Sequence, residues 1–256
     1  MSNYNFSDVL NSSIAFSVDP SSADLLMFDS GYNAAELNLL QSGSDVRVQY
    51  GSNDVLLLGV TLSQLESGFF TFANGSLIEL GTVGADSLVG SSGNDYINGG
   101  FGDDTLDGGN GNDLYIFTKG DGVDTINQYD SSLGHTDTIQ FTDVVATDVT
   151  AINRVGDNLV ISYGVTDQLI LSNYFVGLDY QVQNIKFSDG VVWSQADVLA
   201  QIITNTPPSL ISFIGPVSAG NEDTQITISF DNLKTQSDAW WREVDEFNKQ
   251  LKAQEK

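Results

Sequence analysis

Over most of the first 200 residues, apolar and polar positions fall into short runs that turn residues separate. The segment DVRVQYGSNDVLLL at 45–58 alternates apolar and polar side chains, turns at Gly51 to Asp54, and continues as an apolar strand. Asn-Gly at 74–75 and Asp-Gly at 189–190 precede later apolar runs and are typical hairpin signals. This pattern predicts an all-β chain of short strands.

A period of nine residues replaces this alternation at 81–127, where 12 of the 25 glycines lie. In nonapeptide register the fourth position is glycine, the sixth is aspartate and the eighth is a large apolar residue. The glycine column is Gly84, Gly93, Gly102, Gly111 and Gly122; the aspartate column is Asp86, Asp95, Asp104, Asp113 and Asp124; the apolar column is Leu88, Ile97, Leu106, Tyr115 and Ile126.

Each nonapeptide predicts one tight turn followed by one short strand. Glycine permits the positive φ and close backbone approach that such a turn needs. The strand then points its single apolar residue inward. If successive nonapeptides run in opposite directions across a flattened coil, Asp86 lies beside Asp104 and Asp95 lies beside Asp113. The segment therefore predicts a short parallel β-roll.

The stacked aspartates require a counter-charge. Parallel strands lie roughly 4.8 Å apart, and two unit charges at that separation repel by about 1 kcal/mol in water, or about 3–4 kcal/mol at an effective dielectric near 20. Ca²⁺ takes six to eight oxygen ligands at flexible angles, whereas Mg²⁺ requires near-ideal octahedral geometry and keeps its waters. We therefore expect several Ca²⁺ ions, whose binding is coupled to folding of the segment.

The predicted ligands are the aspartate column and the turn glycines that face it. Thr82 and Ser91 replace the second glycine of their repeats, and Phe117 and Thr118 interrupt the spacing before Asp124. The pairing of Asp104 with Asp124 is thus left open. The full predicted metal set is Gly84, Asp86, Gly93, Asp95, Gly100, Gly102, Asp104, Gly109, Gly111, Asp113, Gly122 and Asp124.

These repeats, in the form GGxGxDxUx, resemble those of RTX (haemolysin-type calcium-binding repeat) proteins. The strands after residue 136 resemble the haemolysin-type calcium-binding-related β domain, and SLISFIGPVSAGNEDTQITISF at 209–230 resembles the start of a cadherin-like module. The resemblance implies bound Ca²⁺ and export by type I secretion machinery. It also implies a location outside, or on the surface of, a Gram-negative bacterium.

A second repeat flanks the nonapeptides. Residues 24–58 and 137–171, which are 113 positions apart, share eight identities in 35 ungapped positions. We interpret the two copies as related β-rich caps, because the ends of a β-roll present open strand edges that favour aggregation unless they are covered. Chance similarity between two generic β segments is the alternative.

The predicted organisation has four parts. An N-terminal β cap covers 1–80, the β-roll 81–135, a C-terminal β cap 136–205, and a linker with truncated cadherin-like strands and a helical tail 206–256. In the tail, apolar residues at spacings of four, three and four predict an amphipathic helix: Trp240, Val244, Phe247 and Leu251. An appended segment rather than a packing element is the alternative for this tail.

Charge and residue types exclude several functions. With 9 basic and 34 acidic residues the net charge is -25, which disfavours nucleic acid and anionic membranes. Cysteine is absent, and the single histidine, His135, leaves no HExxH zinc motif. His135 is expected to be an ordinary exposed side chain in a loop. We expect no enzymatic activity, although paired carboxylates could in principle serve a glycosidase.

The sequence thus predicts a secreted calcium-binding module that folds on Ca²⁺ binding, within a large bacterial adhesin or exoprotein. The alternative is an accessory calcium domain of a secreted enzyme whose catalytic part is elsewhere. Direct binding of a surface is a third class. The expected partners are calcium ions and the secretion machinery, with no nucleic acid and no membrane insertion, and the adhesive ligand is not identified by the sequence.

Overall fold

The computed structural model describes residues 2–15, 24–132 and 134–205. Within these residues the chain forms nineteen β-strands and one α-helix, α1 (Gln195–Asn205), so the predicted all-β character is confirmed apart from this helix. Six single-turn 3-10 helices connect strands: Phe6–Asp8, Ala34–Glu36, Leu62–Gln64, Ser67–Phe69, Ala146–Asp148 and Leu178–Tyr180. The expected cadherin-like strands and tail helix lie outside the described residues.

Seven strands form the N-terminal module. One sheet has the order β1-β3-β7 and is parallel throughout, and a second has the order β2-β6-β5-β4. The strands are β1 (Asn3–Asn5), β2 (Ser12–Ala15), β3 (Leu25–Phe28), β4 (Leu37–Ser42), β5 (Asp45–Tyr50), β6 (Asn53–Leu58) and β7 (Phe70–Phe72).

The β-roll consists of six strands that alternate between two sheets. β10 pairs in parallel with β8 and β12, and β11 pairs in parallel with β9 and β13. The roll strands are β8 (Ile78–Leu80), β9 (Ser87–Val89), β10 (Tyr96–Asn98), β11 (Thr105–Asp107), β12 (Leu114–Phe117) and β13 (Val123–Ile126). The side chains at the eighth nonapeptide position lie between the two sheets, and four of them are fully buried: Ile97, Leu106, Tyr115 and Ile126.

The C-terminal module continues both sheets of the roll. β14 pairs in parallel with β12, and β17 pairs in parallel with β13. Its strands are β14 (Thr138–Phe141), β15 (Val149–Val155), β16 (Asn158–Tyr163), β17 (Asp167–Leu171), β18 (Asn184–Lys186) and β19 (Val192–Ser194). Each sheet therefore has six strands, in the orders β19-β18-β14-β12-β10-β8 and β15-β16-β17-β13-β11-β9.

Helix α1 was not predicted, although its N-terminal signal is present in the sequence. The Ser194 hydroxyl accepts from the Asp197 N–H at 3.3 Å, and Asp197 Oδ2 accepts from the Ser194 N–H at 2.9 Å. This reciprocal pair is a capping box, which the sequence SQAD contains. Val198 on the helix is buried in the core of the C-terminal module.

The sequence repeat is also a structural repeat. β5 and β16 occupy positions 113 residues apart, and the turns that follow these two strands carry Gly51 and Gly164, each at φ 59°. The aromatic cores correspond as well, because Phe28 stacks on Phe72 at 4.4 Å and Phe141 stacks on Phe187 at 5.4 Å between ring centroids. These strands, turns and aromatic pairs therefore correspond between the two flanking modules.

The two modules nevertheless contact the roll differently. The core of the N-terminal module includes outward-facing side chains of the roll, among them Tyr96, Leu114 and Ile116. Ala35 donates its backbone N–H to the Asn94 carbonyl at 3.1 Å. Within the described residues no strand pairs with the outer edge of β8 or β9, so the N-terminal module covers a face of the roll rather than the strand edge we expected it to cover.

Candidate metal centre

The turns of the roll stack their aspartates in two columns. Asp86 donates its backbone N–H to Asp104 Oδ1 at 2.8 Å, and Asp95 donates to Asp113 Oδ1 at 2.9 Å. These partners are 18 residues apart, the spacing of two nonapeptides that run in opposite directions. In both cases one carboxylate oxygen fixes the preceding turn and the other is left for a different partner.

Both columns continue past the regular nonapeptides. Asp104 donates its N–H to Asp124 Oδ1 at 3.0 Å, which settles the pairing that the insertion before Asp124 left open. Asp113 donates to Asp137 Oδ1 at 2.9 Å, and Asp137 in turn donates to Gln183 Oε1 at 2.6 Å. Asp137 was missed because it lies 24 residues beyond Asp113, although it precedes an apolar strand as the other column members do.

The turns approach so closely that glycine is required. Gly111 has φ 127°, and a Cβ at this position would overlap the carbonyl oxygen of Gly93 in the preceding stacked turn. A Cβ at Gly108 would overlap Asp113 Oδ2. Among the other predicted glycines, those without a positive φ are Gly84 and Gly93. Four more lie at positive φ: Gly100 (84°), Gly102 (132°), Gly109 (82°) and Gly122 (112°). Backbone carbonyls and carboxylates therefore crowd a small volume at each edge of the roll.

Three carboxylate oxygens in this volume lack any hydrogen-bond donor. Asp104, Asp113 and Asp124 are each about 1% exposed, and the Oδ2 atom of each is buried without a partner. A buried anionic oxygen without a donor is strongly unfavourable and is rare in folded proteins. A cation that lies against these oxygens would remove that cost, so the residues present fit Ca²⁺.

The first two turns differ from the later ones because they carry hydroxyl residues. Thr82 Oγ1 donates to Asp86 Oδ2 at 2.9 Å, and Ser91 Oγ donates to Asp95 Oδ1 at 3.0 Å. The corresponding residue before Asp104 is Gly100, which has no side chain to donate. The substitutions noted in the sequence thus give Asp86 and Asp95 internal partners.

Burial shifts the pKa values of the column upward. Desolvation, with nearby aspartates as a smaller cause, raises the pKa of Asp113 to about 9 and the pKa of Asp124 to about 7. Desolvation also raises the pKa of Asp137 to about 7 and that of Asp104 above its usual range. The fold without a cation therefore favours protonated carboxyls in the middle of the stack.

Two further acidic residues lie near Asp124, at the end of the column of Asp86, Asp104 and Asp124, and were missed by the sequence reasoning. Asp121 accepts from the Thr118 N–H at 2.6 Å, and desolvation raises its pKa to about 6. Asp167, on β17, accepts the Gly120 N–H at 2.9 Å. Their positions follow from the insertion and from the docking of β17, neither of which the nonapeptide period encodes.

Carboxylates alone do not complete a site. Among the described residues, no group of three or more His, Asp or Glu side chains is arranged to hold a metal ion. A site at the roll edge must therefore take part of its oxygen ligands from the backbone. The turn carbonyls that lie against Gly100, Gly109 and Gly111 supply such oxygens.

The single histidine is less exposed than the sequence suggested. The His135 side chain is 8% exposed, so the expectation of an ordinary exposed side chain is wrong. Its Nδ1 lies 2.9 Å from the Ser132 carbonyl, and its Nε2 lies 3.0 Å from the Gln183 amide nitrogen. The ring lies at the end of the aspartate column, 3.7 Å from Asp130 and 3.8 Å from Asp137, which is why His135 is partly buried.

A parallel coil of Gly/Asp nonapeptides with stacked carboxylates defines a β-roll of the calcium-repeat class. Residues 80–115 match the family described as RTX calcium-binding nonapeptide repeat (4 copies). Residues 158–197 match the haemolysin-type calcium binding protein related domain. The chain therefore contains calcium-binding RTX repeats and a haemolysin-type calcium-binding-related domain, as predicted, and the matches give no support to a cadherin-like module.

Two known proteins align with parts of this chain, one by sequence and one by structure. The chain is 39% identical over 100 residues to the iron-regulated protein FrpA of Neisseria meningitidis serogroup C, a match that spans 37% of this chain and 9% of that protein. The extracellular lipase LipA from Serratia marcescens aligns with a TM-score of 0.34 and 19% identity, over 72% of this chain and 34% of the lipase chain. The chain thus corresponds to a minor part of each protein.

Proposed function

We propose that this chain is a secreted, non-enzymatic calcium-binding module whose β-roll folds when Ca²⁺ enters the two aspartate columns. The observation that carries the proposal is the set of buried, partnerless Oδ2 atoms of Asp104, Asp113 and Asp124. Folding places these oxygens out of water, and a divalent cation restores the interactions they lose. Ion binding and roll formation are then one equilibrium.

The proposed ligands are the carboxylates of the columns and the carbonyl oxygens of the turn glycines. Asp137 joins the predicted set because its Oδ1 holds the Asp113 turn as Asp113 holds that of Asp95. Asp86 and Asp95 are weaker ligands than Asp104, because hydroxyl donors already engage them. The complete proposed set is Gly84, Asp86, Gly93, Asp95, Gly100, Gly102, Asp104, Gly109, Gly111, Asp113, Gly122, Asp124 and Asp137.

The C-terminal module serves as the cap of the roll in this proposal. β14 and β17 pair with the last roll strands, so they occupy edges that would otherwise be open. Gln183 ends one column with a neutral amide instead of another carboxylate. The proposed organisation keeps four parts, 1–80, 81–135, 136–205 and 206–256, although the last strand of the first part, β8 (Ile78–Leu80), pairs with β10 as a strand of the roll.

At the level of the whole protein, we propose a segment of a large bacterial adhesin or exoprotein that leaves a Gram-negative cell through type I secretion. The net charge of -25 supports this route, since it keeps the calcium-free chain expanded by self-repulsion. Among the described residues, no helix has the length and apolar character to cross a membrane. An accessory calcium domain of a secreted enzyme is the alternative setting for the same roll.

The test is a far-UV circular dichroism titration of the chelator-stripped chain with Ca²⁺ and, separately, with Mg²⁺. The proposal predicts a cooperative gain of β signal with Ca²⁺ alone, at roughly 0.1–1 mM as for extracellular sites. The triple variant Asp104→Ala, Asp113→Ala, Asp124→Ala is the control and should not respond in this range. A spectrum of the native chain that is indifferent to Ca²⁺ would reject the proposed function.

A further inference from the structure

The first two strands of the chain repeat the last coil of the β-roll. β1 pairs with β3 so that Asn3 faces Leu25, as β12 pairs with β14 so that Leu114 faces Thr138. β2 pairs in parallel with β6 as β13 pairs in parallel with β17. Both correspondences have the same sequence offset of 111 residues, so 2–15 and 113–126 are structural equivalents.

The hydrogen bonds that hold these two coils are the same. Ser2 donates its N–H to Asp24 Oδ1 at 2.5 Å, and Asp113 donates to Asp137 Oδ1 at 2.9 Å. In the other direction, Leu25 donates its N–H to the Ser2 carbonyl at 2.9 Å, matching the bond of 2.8 Å from Thr138 to the Asp113 carbonyl. Asp24 is 6% exposed, which makes it the counterpart of the buried column member Asp137.

The side chains inside the coil agree with this equivalence. Tyr4 and Phe6 correspond to Tyr115 and Phe117, and both phenylalanines are buried. Phe6 stacks on Phe28 with ring centroids 4.7 Å apart, and Phe117 contacts the equivalent ring at 6.1 Å. Residues 2–15 therefore fold as the terminal coil of a roll, although their sequence lacks the nonapeptide signature.

The two coils differ in what lies on their other side. We call the edge of a coil that faces earlier coils its leading edge. The leading edges of β12 and β13 pair in parallel with β10 and β11. The leading edges of β1 and β2 pair with no strand in the part of the chain that the structure describes. Unpaired parallel edges on two adjacent sheets are a template for further strands.

The direction of these strand edges limits which strands can pair with β1 and β2. A parallel coil stacks only when the trailing edge of one coil meets the leading edge of the next. The outer edges of β8 and β9 are also leading edges, and the trailing edges of β12 and β13 are already paired with β14 and β17. The described strands of a second copy therefore offer no free trailing edge of the roll to β1 and β2. The outer edge of β7 is also parallel, but it belongs to one sheet only and cannot pair with β1 and β2 together.

The polarity of β1 indicates how the docked coil is surrounded. Leu114 and Ile116 on β12 point outward and are buried beneath the N-terminal module. Their equivalents on β1, Asn3 and Asn5, are polar and exposed. The outward face of β1 is therefore solvent-exposed, and a coil that docks beside β1 does not need another module to cover it.

We infer that the leading edges of β1 and β2 dock a further coil of Gly/Asp nonapeptides, of the same chemistry as residues 81–112, with Asp24 as the last carboxylate of its column. The strand pairing is independent of the proposed function, whereas any Ca²⁺ at Asp24 rests on it. Ser2 stands where the roll has Asp113, so this junction has one carboxylate fewer than its counterpart.

The test places the partner at high effective concentration by fusing residues 81–112 of this chain directly before Ser2 of the full chain. Hydrogen exchange of the backbone amides in 2–15 is then measured by mass spectrometry with Ca²⁺ present. We expect exchange there to slow by roughly tenfold or more, because the edge amides become paired. A fusion that carries the same 32 residues in scrambled order is the control, and it should leave exchange at 2–15 unchanged.

A second variant keeps the result interpretable. Asp24→Asn in the fused chain should reduce the protection at 2–15 while the exchange of 113–126, which occurs only once in the fusion, stays as in the parent. Unchanged exchange at 2–15 in the ordered fusion, with 113–126 still protected by Ca²⁺, overturns the docking inference and leaves the proposed function standing. Protection at 2–15 with no effect of Ca²⁺ at 113–126 supports docking and overturns the proposed function.

Discussion

The N-terminal module and the β-roll are both built from short strands, but their interiors have different chemistry. The module buries side chains such as Val46, Val55 and Leu57, all fully inaccessible, on strands whose intervening side chains are exposed or half-buried. The roll adds to its single apolar column two columns of buried carboxylates. The core of the first region is entirely apolar and includes the roll side chains Tyr96, Leu114 and Ile116. Under the proposed function, the second region needs a cation to offset the charge that it buries.

The largest difference between the two regions is expected when a glycine in each is replaced by alanine. Gly111→Ala should abolish the Ca²⁺-dependent folding of 87–126, because the new methyl group overlaps the Gly93 carbonyl at a φ of 127°. Gly43→Ala is the matched control, since Gly43 also has positive φ, 65°, but has open space around it. We expect it to cost about 1–2 kcal/mol. Circular dichroism titrations of both variants with Ca²⁺ check this, and equal effects would contradict the close stacking of the turns.

The next largest effect is expected in the module core. Leu57→Ala should destabilise the N-terminal module by about 2–5 kcal/mol, through lost apolar burial and the cavity that remains. The loss should be present both with and without Ca²⁺, because Leu57 lies in a core that contains no column carboxylate, although removal of Ca²⁺ also withdraws the roll side chains Leu114 and Ile116 from that core. Hydrogen exchange of 37–58 at increasing urea concentration measures it, because the three tryptophans, Trp193, Trp240 and Trp241, lie outside this module. A loss that appears only in Ca²⁺ would mean that the module also depends on the ion.

Within the roll, the aspartates of one column should differ in how strongly their loss weakens Ca²⁺-dependent folding. Asp104→Ala should raise the Ca²⁺ concentration at the folding midpoint by roughly tenfold, and Asp86→Ala by less. The reason is that Asp104 Oδ2 has no donor, while Asp86 Oδ2 accepts from Thr82 at 2.6 and 2.9 Å. Midpoints from circular dichroism decide the matter, and equal shifts for the two variants would reject the stacked arrangement.

The smallest expected effect is that of pH. A carboxyl whose folded pKa is raised stabilises the fold below its unfolded value, here 3.8, and loses that contribution as pH rises through its folded value. The calcium-free roll should thus weaken up to pH about 9, the pKa of Asp113.

The affinity for Ca²⁺ should instead increase with pH, since Ca²⁺ binding requires the ionised form of the column carboxyls. The Ca²⁺ midpoint should therefore fall severalfold between about pH 6 and about pH 9. The core that contains Leu57 includes no column carboxylate, so the urea midpoint of the N-terminal module serves as the control. A Ca²⁺ midpoint that is constant over this range would show that protons and Ca²⁺ do not share the buried carboxyls.

The nonapeptide period and the 113-residue repeat predicted those features that depend on regular spacing along the chain. The 18-residue stacking of Asp86 on Asp104 follows from the nonapeptide alone, and the correspondence between the two modules follows from the offset of 113 residues. Asp137 and Gln183 reach the column through loops of irregular length, which no period describes. Their places are set by the packing of β14 and β18 against the roll.

The position of the N-terminal module was missed for a different reason. Tyr96, Leu114 and Ile116 occupy nonapeptide positions that face outward, where a solvent-exposed roll would carry polar residues. These apolar side chains at outward-facing positions indicate that another part of the protein packs on this face of the roll. The sequence does not specify which segment does so, because the contact joins elements distant in the chain through non-directional apolar burial.

The most direct test of the difference between the two regions is hydrogen exchange, measured peptide by peptide in the native chain with Ca²⁺ and after chelation. We predict that 87–126 loses its protection when Ca²⁺ is removed, by at least about a hundredfold at the most protected amides, while 37–58 keeps its own. Protection of 87–126 that survives chelation would contradict the claim that the roll requires the ion. Loss of protection in both regions together would contradict the claim that the N-terminal module is held by its apolar core alone.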